Sequence, residues 1–359
     1  MTQRRAVKVL VAGLGTMGLS HARAYRANEG FELVGLCTRG AAERKDLAAE
    51  FEGVPRYDAF DAALAELKPD AVAICVYTEH HARMAKQALE AGAHVFCEKP
   101  LADTMQAAEE VAAAAQAAGK VLQIGYILRV HPSWTRFVEI GRTLGKPLVM
   151  RMNLNQQSQG SFWEVHKNLM RSTSPIVDCG VHYVDIMCQV TRSRPVAVHA
   201  VGARLTNEIH PAMYNYGHLH IVFEDGSVGW YEAGWGPMMS ETAFFVKDMI
   251  GPEGCVSIVA SEQPGGKSSA DHDSHTRANV LRLHHAALGL DGRFAKPDEI
   301  VENEDEPGHQ ELCNREQQMF LRAVRGEIDL TDHVADALSS LRIVFAADES
   351  VRTGEVVRL

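Results

Sequence analysis

The 359-residue sequence lacks any strongly basic segment and carries a formal net charge of −10. Nucleic acid and anionic membranes are therefore not expected as partners. The sequence also lacks an apolar run near the roughly 18 residues that a membrane-spanning helix needs. The apolar run at 7–12 is too short for a secretory signal, and it predicts a first strand instead.

Cysteine pairs and metal-binding motifs are also missing. The seven cysteines include no C-x-x-C pair and lie mostly in apolar stretches, which predicts reduced, buried thiols and a cytoplasmic protein. No H-E-x-x-H motif occurs, which disfavours a metal-dependent hydrolase. The polar stretches at 271–275 and at His284 and His285 lie in or next to a Gly/Ser-rich loop. Because a structural metal site needs four ligands in a fixed geometry, we expect solvated surface there and no metal.

What the sequence does contain, up to about residue 125, is an alternation of strand-like and helix-like segments. Apolar runs such as 7–12, 31–37 and 71–76 are separated by helical stretches, some of them of 10–15 residues. This pattern predicts βαβ units and a parallel sheet. We therefore expect an α/β fold in which residues 1–125 form a first domain around a parallel sheet.

The pattern changes after this point, where strand-like runs follow one another. Two of them, 218–223 and 228–233, flank Asp225-Gly226, a pair typical of a hairpin turn. We expect residues 126–359 to form a second α/β domain with a large, mostly antiparallel, open sheet. The helices near 310–324 and 335–353 are compatible with packing on either domain.

Gly13, Gly15 and Gly18 form a G-x-G-x-x-G motif directly after the first strand and before the first helix. In this context the first glycine permits a tight turn, the second admits a pyrophosphate close to the backbone, and the third brings helix and strand together. The free N–H groups of the helix N-terminus then face the anion. The motif predicts a bound dinucleotide, so we expect residues 1–125 to be a Rossmann dinucleotide-binding domain.

The end of the second strand indicates which dinucleotide. An Asp or Glu at that point would accept bonds from the ribose 2′-hydroxyl of NAD. Here the strand ends in Thr38 and Arg39, a hydroxyl and a guanidinium that suit a 2′-phosphate. We therefore favour NADP over NAD as the cofactor.

Further motifs identify a family. A segment H-A-x-x-A-x-x-A-L-x-A-G-x-H-V begins at His81, E-K-P begins at Glu98, and D-x-G-x-H-x-x-D begins at Asp178. With the glycine loop, these resemble the glucose–fructose oxidoreductase, inositol dehydrogenase and MocA family over essentially the whole chain. The resemblance implies a Rossmann domain followed by a mostly antiparallel α/β domain. It also implies NAD(P)-dependent hydride transfer at a secondary alcohol or carbonyl of a sugar, cyclitol or sugar derivative.

By this resemblance Lys99, Asp178 and His182 form the catalytic group. Histidine titrates near neutrality and can take the hydroxyl proton. The charged form of a lysine beside a cationic nicotinamide is disfavoured, and the side chain can bind the substrate oxygen. Asp178 and His182 are four residues apart, so on a helix they face the same side, where Asp178 can orient the substrate or the imidazole.

The resemblance also implies the remaining contacts. Expected cofactor contacts are Gly13, Gly15, Thr16, Met17, Gly18, Thr38, Arg39, Val76, Tyr77, His81, Glu98 and Lys99. Expected substrate contacts are Tyr126, Arg129, Trp163, His166, Lys167 and Asp185, of which Trp163, His166 and Lys167 lie in a stretch that we interpret as irregular.

The sequence departs from the family pattern at 172–176. Many members have a Gly-rich G-G-G there, whereas this chain has Ser-Thr-Ser-Pro-Ile, which predicts a stiffer backbone presenting hydroxyls. Two alternatives to a plain dehydrogenase stay open: a non-catalytic dinucleotide-binding sensor or scaffold, and redox-neutral glycoside chemistry with tightly held NAD. An exposed apolar sheet face is costly in water, so we expect a homodimer or homotetramer through the open sheet.

Overall fold

The structure is a computed structural model that describes residues 5–240, 246–259 and 278–359. These residues form two compact units. The first contains the chain up to residue 127 together with 308–338, and the second contains 128–307 and 339–359. Among the described residues, no helix combines the length and apolar character needed to cross a membrane.

The first unit is built on a six-stranded sheet with the strand order β3-β2-β1-β4-β5-β6, in which every pair is parallel. The predicted Rossmann-type sheet is therefore confirmed. Its elements are β1 (Val7–Ala12), α1 (Thr16–Ala27), β2 (Phe31–Cys37), α2 (Lys45–Glu50), β3 (Arg56–Tyr57), α3 (Phe60–Leu67), β4 (Ala71–Ile74), α4 (His81–Glu90), β5 (His94–Cys97), α5 (Met105–Ala118) and β6 (Leu122–Ile124).

The second unit contains a nine-stranded sheet with the order β14-β13-β12-β11-β7-β10-β9-β8-β15. Its pairs are antiparallel except for β7 with β10. Its elements are α6 (Pro132–Gly141), β7 (Val149–Gln157), α7 (Gly160–Leu169), α8 (Val181–Thr191), β8 (Pro195–Ala203), β9 (Tyr216–Phe223), β10 (Val228–Gly236), β11 (Lys247–Gly251), β12 (Gly254–Ile258), β13 (Val280–His285), β14 (Glu299–Glu302) and β15 (Val357–Arg358).

The predicted hairpin at Asp225-Gly226 is confirmed. Gly226 has a φ of +82°, and Val228 pairs with Val222 across the turn. One face of the sheet packs against helices α6 and α8, where Met249 and Met187 are fully buried. On the opposite face, valines of β7, β8, β9 and β10 are exposed, so the part of the chain that the structure describes leaves that side of the sheet open.

The C-terminal helices are α9 (His309–Val324) and α10 (Thr331–Thr353). Helix α9 packs on α1, and its Phe320 and Leu321 join the apolar core of the first unit. Helix α10 contributes its residues up to 338 to the first unit and the rest to the second.

Helix α7 and the strands β13 and β14 differ from the sequence-based expectation. Residues 160–169, interpreted as irregular, form helix α7, and β13 and β14 add two strands that no periodicity indicated. The expected loop at 261–273 lies outside the described residues, as do 271–275.

Candidate functional site

The glycine loop has the geometry that its sequence predicts. Gly13 has a φ of +88°, and an added Cβ would lie 2.3 Å from the carbonyl oxygen of Cys75. At Gly18 a Cβ would lie 1.8 Å from the Gly13 oxygen, so helix and loop touch there. At Gly15, in contrast, a Cβ would meet no atom within 4 Å. The loop therefore leaves open space at its middle glycine, which fits a dinucleotide pyrophosphate.

Several expected cofactor residues lie at the carboxyl edge of the first sheet. Thr16 and Met17 begin α1, Val76 and Tyr77 follow β4, and Lys99 follows β5. In open α/β sheets, ligands bind outside this edge, where the strand order changes direction. The order of this sheet reverses between β1 and β4. The topology thus gathers these residues, all of the first unit, at the edge where a dinucleotide binds.

The end of β2 carries two cationic side chains. Arg39 is exposed and precedes Gly40, which has a φ of +71°. Arg44 donates to the carbonyl oxygen of Leu14 in the glycine loop at 3.1 Å and also pairs with Asp46. A guanidinium that is absent from the sequence-based assignment, that of Arg44, therefore contacts the glycine loop.

His81 is engaged by the main chain. Its side chain is buried, with Nδ1 2.7 Å from the oxygen of Pro100 and Nε2 2.9 Å from the oxygen of Val76. Burial lowers the pKa of the imidazole despite these two acceptors. The ring thereby joins the loop after β4 to the loop that carries Lys99. The contact of His81 with cofactor stays a prediction.

In the second unit, Asp178 lies in a π-helical turn, Ile176–Gly180, that runs directly into α8. Asp178 is 8% exposed and its N–H donates to the oxygen of Ser174 at 2.9 Å. His182 is half-buried and begins the α-helical part. A π-turn adds one residue to the helical ring and is frequent at functional sites. The motif therefore spans a change of helix type rather than one regular α-turn.

Gly180, the glycine of the same motif, sets the distance between this helix and the sheet. A Cβ there would lie 2.7 Å from the ring of Tyr231 on β10. Tyr231 is fully buried and stacks on Tyr183 with ring centroids 5.1 Å apart. Only glycine permits this close packing, which fixes the π-turn against the sheet.

The Ser-Thr-Ser-Pro-Ile departure does not present its hydroxyls as we expected. Thr173 and Ser174 are buried, at 2% and 0% exposed. Ser174 Oγ accepts from the N–H of Val177 at 3.1 Å and donates to Asp348 at 2.7 Å, while the Tyr214 hydroxyl donates to Ser174. Ser174 accepts from the main chain of the π-turn, and the Thr173 hydroxyl donates to the oxygen of Leu169 at 3.2 Å. Both hydroxyls are therefore engaged inside the unit, and of the three only Ser172 is exposed.

Two expected substrate residues, Arg129 and Asp185, form an ion pair with each other. Arg129 Nε lies 2.8 Å from Asp185 Oδ2 and its Nη2 lies 2.6 Å from Oδ1, a two-pronged pair in which Asp185 is 1% exposed. Such bidentate pairs are strong and directional. The pair fastens α8 to the segment before α6, and contact with substrate stays a prediction for both residues.

The other expected substrate residues of this unit lie on α7. Trp163 is 6% exposed in an apolar cluster with Trp235, and His166 stacks on Trp235 at 4.3 Å. Lys167 pairs with Glu164 and Glu208. In the first unit, Tyr126 is 3% exposed and its hydroxyl donates to the oxygen of Ala337 at 3.4 Å. Packing occupies much of each of these side chains.

Sequence reasoning missed one buried cation beside the D-x-G-x-H-x-x-D helix. Lys247 on β11 is 4% exposed, and its Nζ lies 5.6 Å from the centre of the Tyr183 ring. Burial lowers its pKa to about 7. The only signal in the sequence was a lysine ahead of the apolar residues of a strand.

With the candidate residues of each unit described, comparison with known proteins identifies the relatives. Residues 7–126 match the profile of an oxidoreductase family with an NAD-binding Rossmann fold, and residues 141–246 match the GFO/IDH/MocA C-terminal domain. The chain belongs to the GFO/IDH/MocA oxidoreductase family. The family resemblance inferred from the motifs is confirmed, as is the two-part α/β fold.

Individual relatives show a range of substrates. The chain is 30% identical over 183 residues to D-glucoside 3-dehydrogenase of Escherichia coli, covering 50% of this chain and 52% of that protein. It is 26% identical over 371 residues to the NAD-dependent scyllo-inositol 2-dehydrogenase of Bacillus subtilis, covering 98% and 96%. The chain spans about half the length of the first curated relatives that it matches.

Solved structures support the fold. The scyllo-inositol dehydrogenase of Lactobacillus casei, determined with NAD(H) and scyllo-inositol, matches with a TM-score of 0.74 at 20% identity over 99% of both chains. The aldose–aldose oxidoreductase of Caulobacter crescentus, complexed with glycerol, matches with a TM-score of 0.77 at 21% identity, over 99% of this chain and 100% of that one. At these identities the likeness establishes the fold of this chain.

Proposed function

We propose that this chain is an NAD(P)-dependent dehydrogenase or reductase acting on a CH–OH group of a sugar, cyclitol or sugar derivative. The observation that carries the proposal is the glycine loop, with its open space at Gly15, on the same sheet edge as Lys99. When bound, the nicotinamide cofactor supplies the acceptor or donor of a hydride. The family of the chain and the dehydrogenases among its relatives support this assignment.

The residues of the chain then have separate tasks. Lys99 binds the substrate oxygen and stabilises the negative charge that develops on it during hydride transfer. His182 takes or returns the hydroxyl proton. Asp178, held by the main-chain bond to Ser174, orients the substrate or the imidazole. Glycine-loop N–H groups at the start of α1 bind the phosphates.

Lys99→Met and His182→Gln variants test these tasks. Each variant should lose at least 100-fold in kcat, since general acid–base catalysis is worth about 10²–10⁴-fold, and His182→Gln should bind cofactor as the unaltered enzyme does. Turnover is measured as NAD(P)H formation in a screen of cyclitols, aldoses and keto-sugars. Retained turnover in either variant would remove that residue from the mechanism. Turnover without net NAD(P)H would favour the redox-neutral alternative.

For the cofactor we propose a preference for NADP over NAD. Arg39 is exposed just after β2 and can offer its guanidinium to a 2′-phosphate, whereas Arg44, held by Asp46 and by the oxygen of Leu14, supports the glycine loop. The affinities for NADPH and NADH are measured by fluorescence titration of the purified protein. Any cofactor carried through purification is removed first. Tighter binding of NADPH is expected, and equal kcat/KM with both cofactors would contradict it. Binding of neither would favour the sensor or scaffold alternative.

We also propose that the open sheet face forms a homodimer or homotetramer contact. Val149, Val201, Val222 and Val228, at 41%, 43%, 42% and 37% exposed, lie on four neighbouring strands of that face. Light scattering after size exclusion measures the assembly. Val222→Lys should shift it toward the monomer, and a monomeric unaltered protein would overturn the proposal.

The seven free thiols support a cytoplasmic location, which we propose as well.

A further inference from the structure

A buried chain of hydrogen bonds in the first unit ends at the main chain of Lys99. Gln317 Nε2 lies 2.9 Å from His21 Nδ1, and His21 Nε2 lies 2.8 Å from Glu98 Oε1. The second carboxylate oxygen of Glu98 accepts the N–H of Lys99 at 3.1 Å. We propose that His21 and Gln317 are positioning residues for Lys99. They act through the Glu98 carboxylate, and the inference rests on the proposed role of Lys99.

Packing leaves this chain of bonds little freedom. His21 and Gln317 are both 0% exposed, and Glu98 is 7% exposed. The His21 ring lies 4.7 Å from the ring of Phe96, and a Cβ at Gly125 would lie 3.2 Å from the Glu98 carboxylate. Because the imidazole is held at both nitrogens and on a ring face, its N–H is aimed at the carboxylate. The carboxylate in turn fixes the backbone at the residue after it.

The charges in this region are consistent with an ionised Glu98. A second carboxyl, Glu316, is 1% exposed, and burial together with the charge of Glu98 raises its pKa well above the usual range. Because two neighbouring buried carboxylates repel each other, the shift favours the neutral form of Glu316 beside a charged Glu98. Hydrogen bonds to a charged acceptor are roughly twice as strong as neutral ones, so an ionised Glu98 holds Lys99 more firmly.

The two positioning residues lie on helices that connect them to the glycine loop. His21 lies on α1, the helix that begins at the glycine loop, and Gln317 lies on α9, which packs along α1. The loop that binds the dinucleotide and the loop that carries Lys99 are thereby joined through one imidazole. A misplacement of about 1 Å at a reacting group can lower a rate by about 100-fold, so loss of this link should act on kcat.

A metal site is the competing interpretation of the same residues. One ligand atom each from His21, Cys313 and Glu316 lie within 4.8 Å of one another. However, both ring nitrogens of His21 already have hydrogen-bond partners in Glu98 and Gln317. The hydrogen-bonding role is therefore favoured, and metal analysis is part of the test.

The central variant is His21→Leu, which keeps a buried side chain but removes both hydrogen bonds. We expect cofactor affinity and KM within about threefold of the unaltered enzyme and kcat per folded, cofactor-binding molecule reduced 10- to 100-fold. We also expect the pH profile of kcat to shift, because Lys99 is less firmly placed. Gln317→Leu should give a smaller loss in the same direction.

Two controls separate positioning from a loss of stability. His21→Gln retains an N–H that can reach Glu98, and it should recover most of the kcat. Leu321→Ala opens a cavity in the core of the same unit and should lower the melting temperature while leaving kcat per folded molecule unchanged.

The outcomes are distinguishable. If Lys99→Met abolishes turnover while His21→Leu keeps the unaltered kcat and pH profile, the positioning inference fails and the proposed function stands. If Lys99→Met itself keeps full turnover, the proposed role of Lys99 fails first. A stoichiometric metal in the purified protein, whose removal reproduces the His21→Leu loss, would overturn positioning in favour of a metal site.

Discussion

Replacing the buried Lys247 should change how the stability of the protein depends on pH. Burial lowers the pKa of this lysine from 10.5 to about 7 in the folded protein. The folded state therefore binds the proton more weakly than the unfolded chain does. Stability linked to this group is fully present above the unfolded pKa and is lost as pH falls through the folded pKa. Lys247→Met, similar in length and uncharged, removes this dependence.

The magnitude follows from the two pKa values. Well below pH 7 the full difference of 3.5 pKa units (10.5 − 7) applies, which corresponds to about 5 kcal/mol at 1.36 kcal/mol per unit. Integrated between about pH 6 and pH 9, the change amounts to about 2.5 kcal/mol. The advantage of Lys247→Met over the unaltered protein should thus be about 2.5 kcal/mol larger at pH 6 than at pH 9.

Urea unfolding at a series of pH values measures this difference, because groups common to both proteins cancel. Lys296→Met, a change at an exposed lysine, is the matched control and should show a flat difference. A flat difference for Lys247→Met as well would refute the reasoning. It would mean that this lysine stays charged in the folded protein.

Substitutions at three glycines and at the buried Glu316 carboxyl give further tests. Gly15→Ala should leave the free energy of unfolding unchanged but weaken cofactor binding in a titration, whereas Gly18→Ala should lose on the order of 1–3 kcal/mol in urea unfolding. Gly180→Ala should lower the free energy of unfolding by a similar amount. Adding Tyr231→Leu to Gly180→Ala should restore part of that loss, so the melting-temperature changes of the two substitutions should not add. Glu316 has a raised folded pKa, so its stability contribution is full below pH 4.5 and is lost as pH rises through that pKa. Glu316→Gln should therefore stabilise the protein more at pH 8 than at pH 4, and equal effects would contradict a neutral Glu316.

The first sheet could be predicted because each of its central strands is a short apolar run. The chain Val7–Ala12 is buried along nearly its whole length, and Ala71–Ile74 is fully buried. In contrast, half of the residues in β13 and in β14 are polar and most are partly or fully exposed, so no hydrophobic period identified them. Helix α7 was missed because its Phe-Trp and Val residues resemble a strand or loop more than a helix.

The candidate site was predictable only where its residues are close in sequence. The glycine loop and the segment from Glu98 are local patterns. The bond between Gln317 and His21 joins residues 296 apart, which no local spacing can indicate. The sequence signal that was available is the polar pair Glu316-Gln317 on the buried side of α9, which indicates a buried hydrogen-bond network. Likewise, four-residue spacing in D-x-G-x-H cannot distinguish an α-turn from the π-turn that the structure contains.

The return of α9 to the first unit bears on how the protein is made. Phe320 and Leu321 complete a core whose other members lie before residue 97. A ribosome adding about 5–20 residues per second must therefore extend the chain through the second unit, residues 128–307, for roughly 10–35 s before the first can close. During that interval an apolar surface of the nascent Rossmann unit lacks its cover. Folding of the dinucleotide-binding half is thus completed late, after synthesis of most of the chain, and the N-terminal half alone is an incomplete domain.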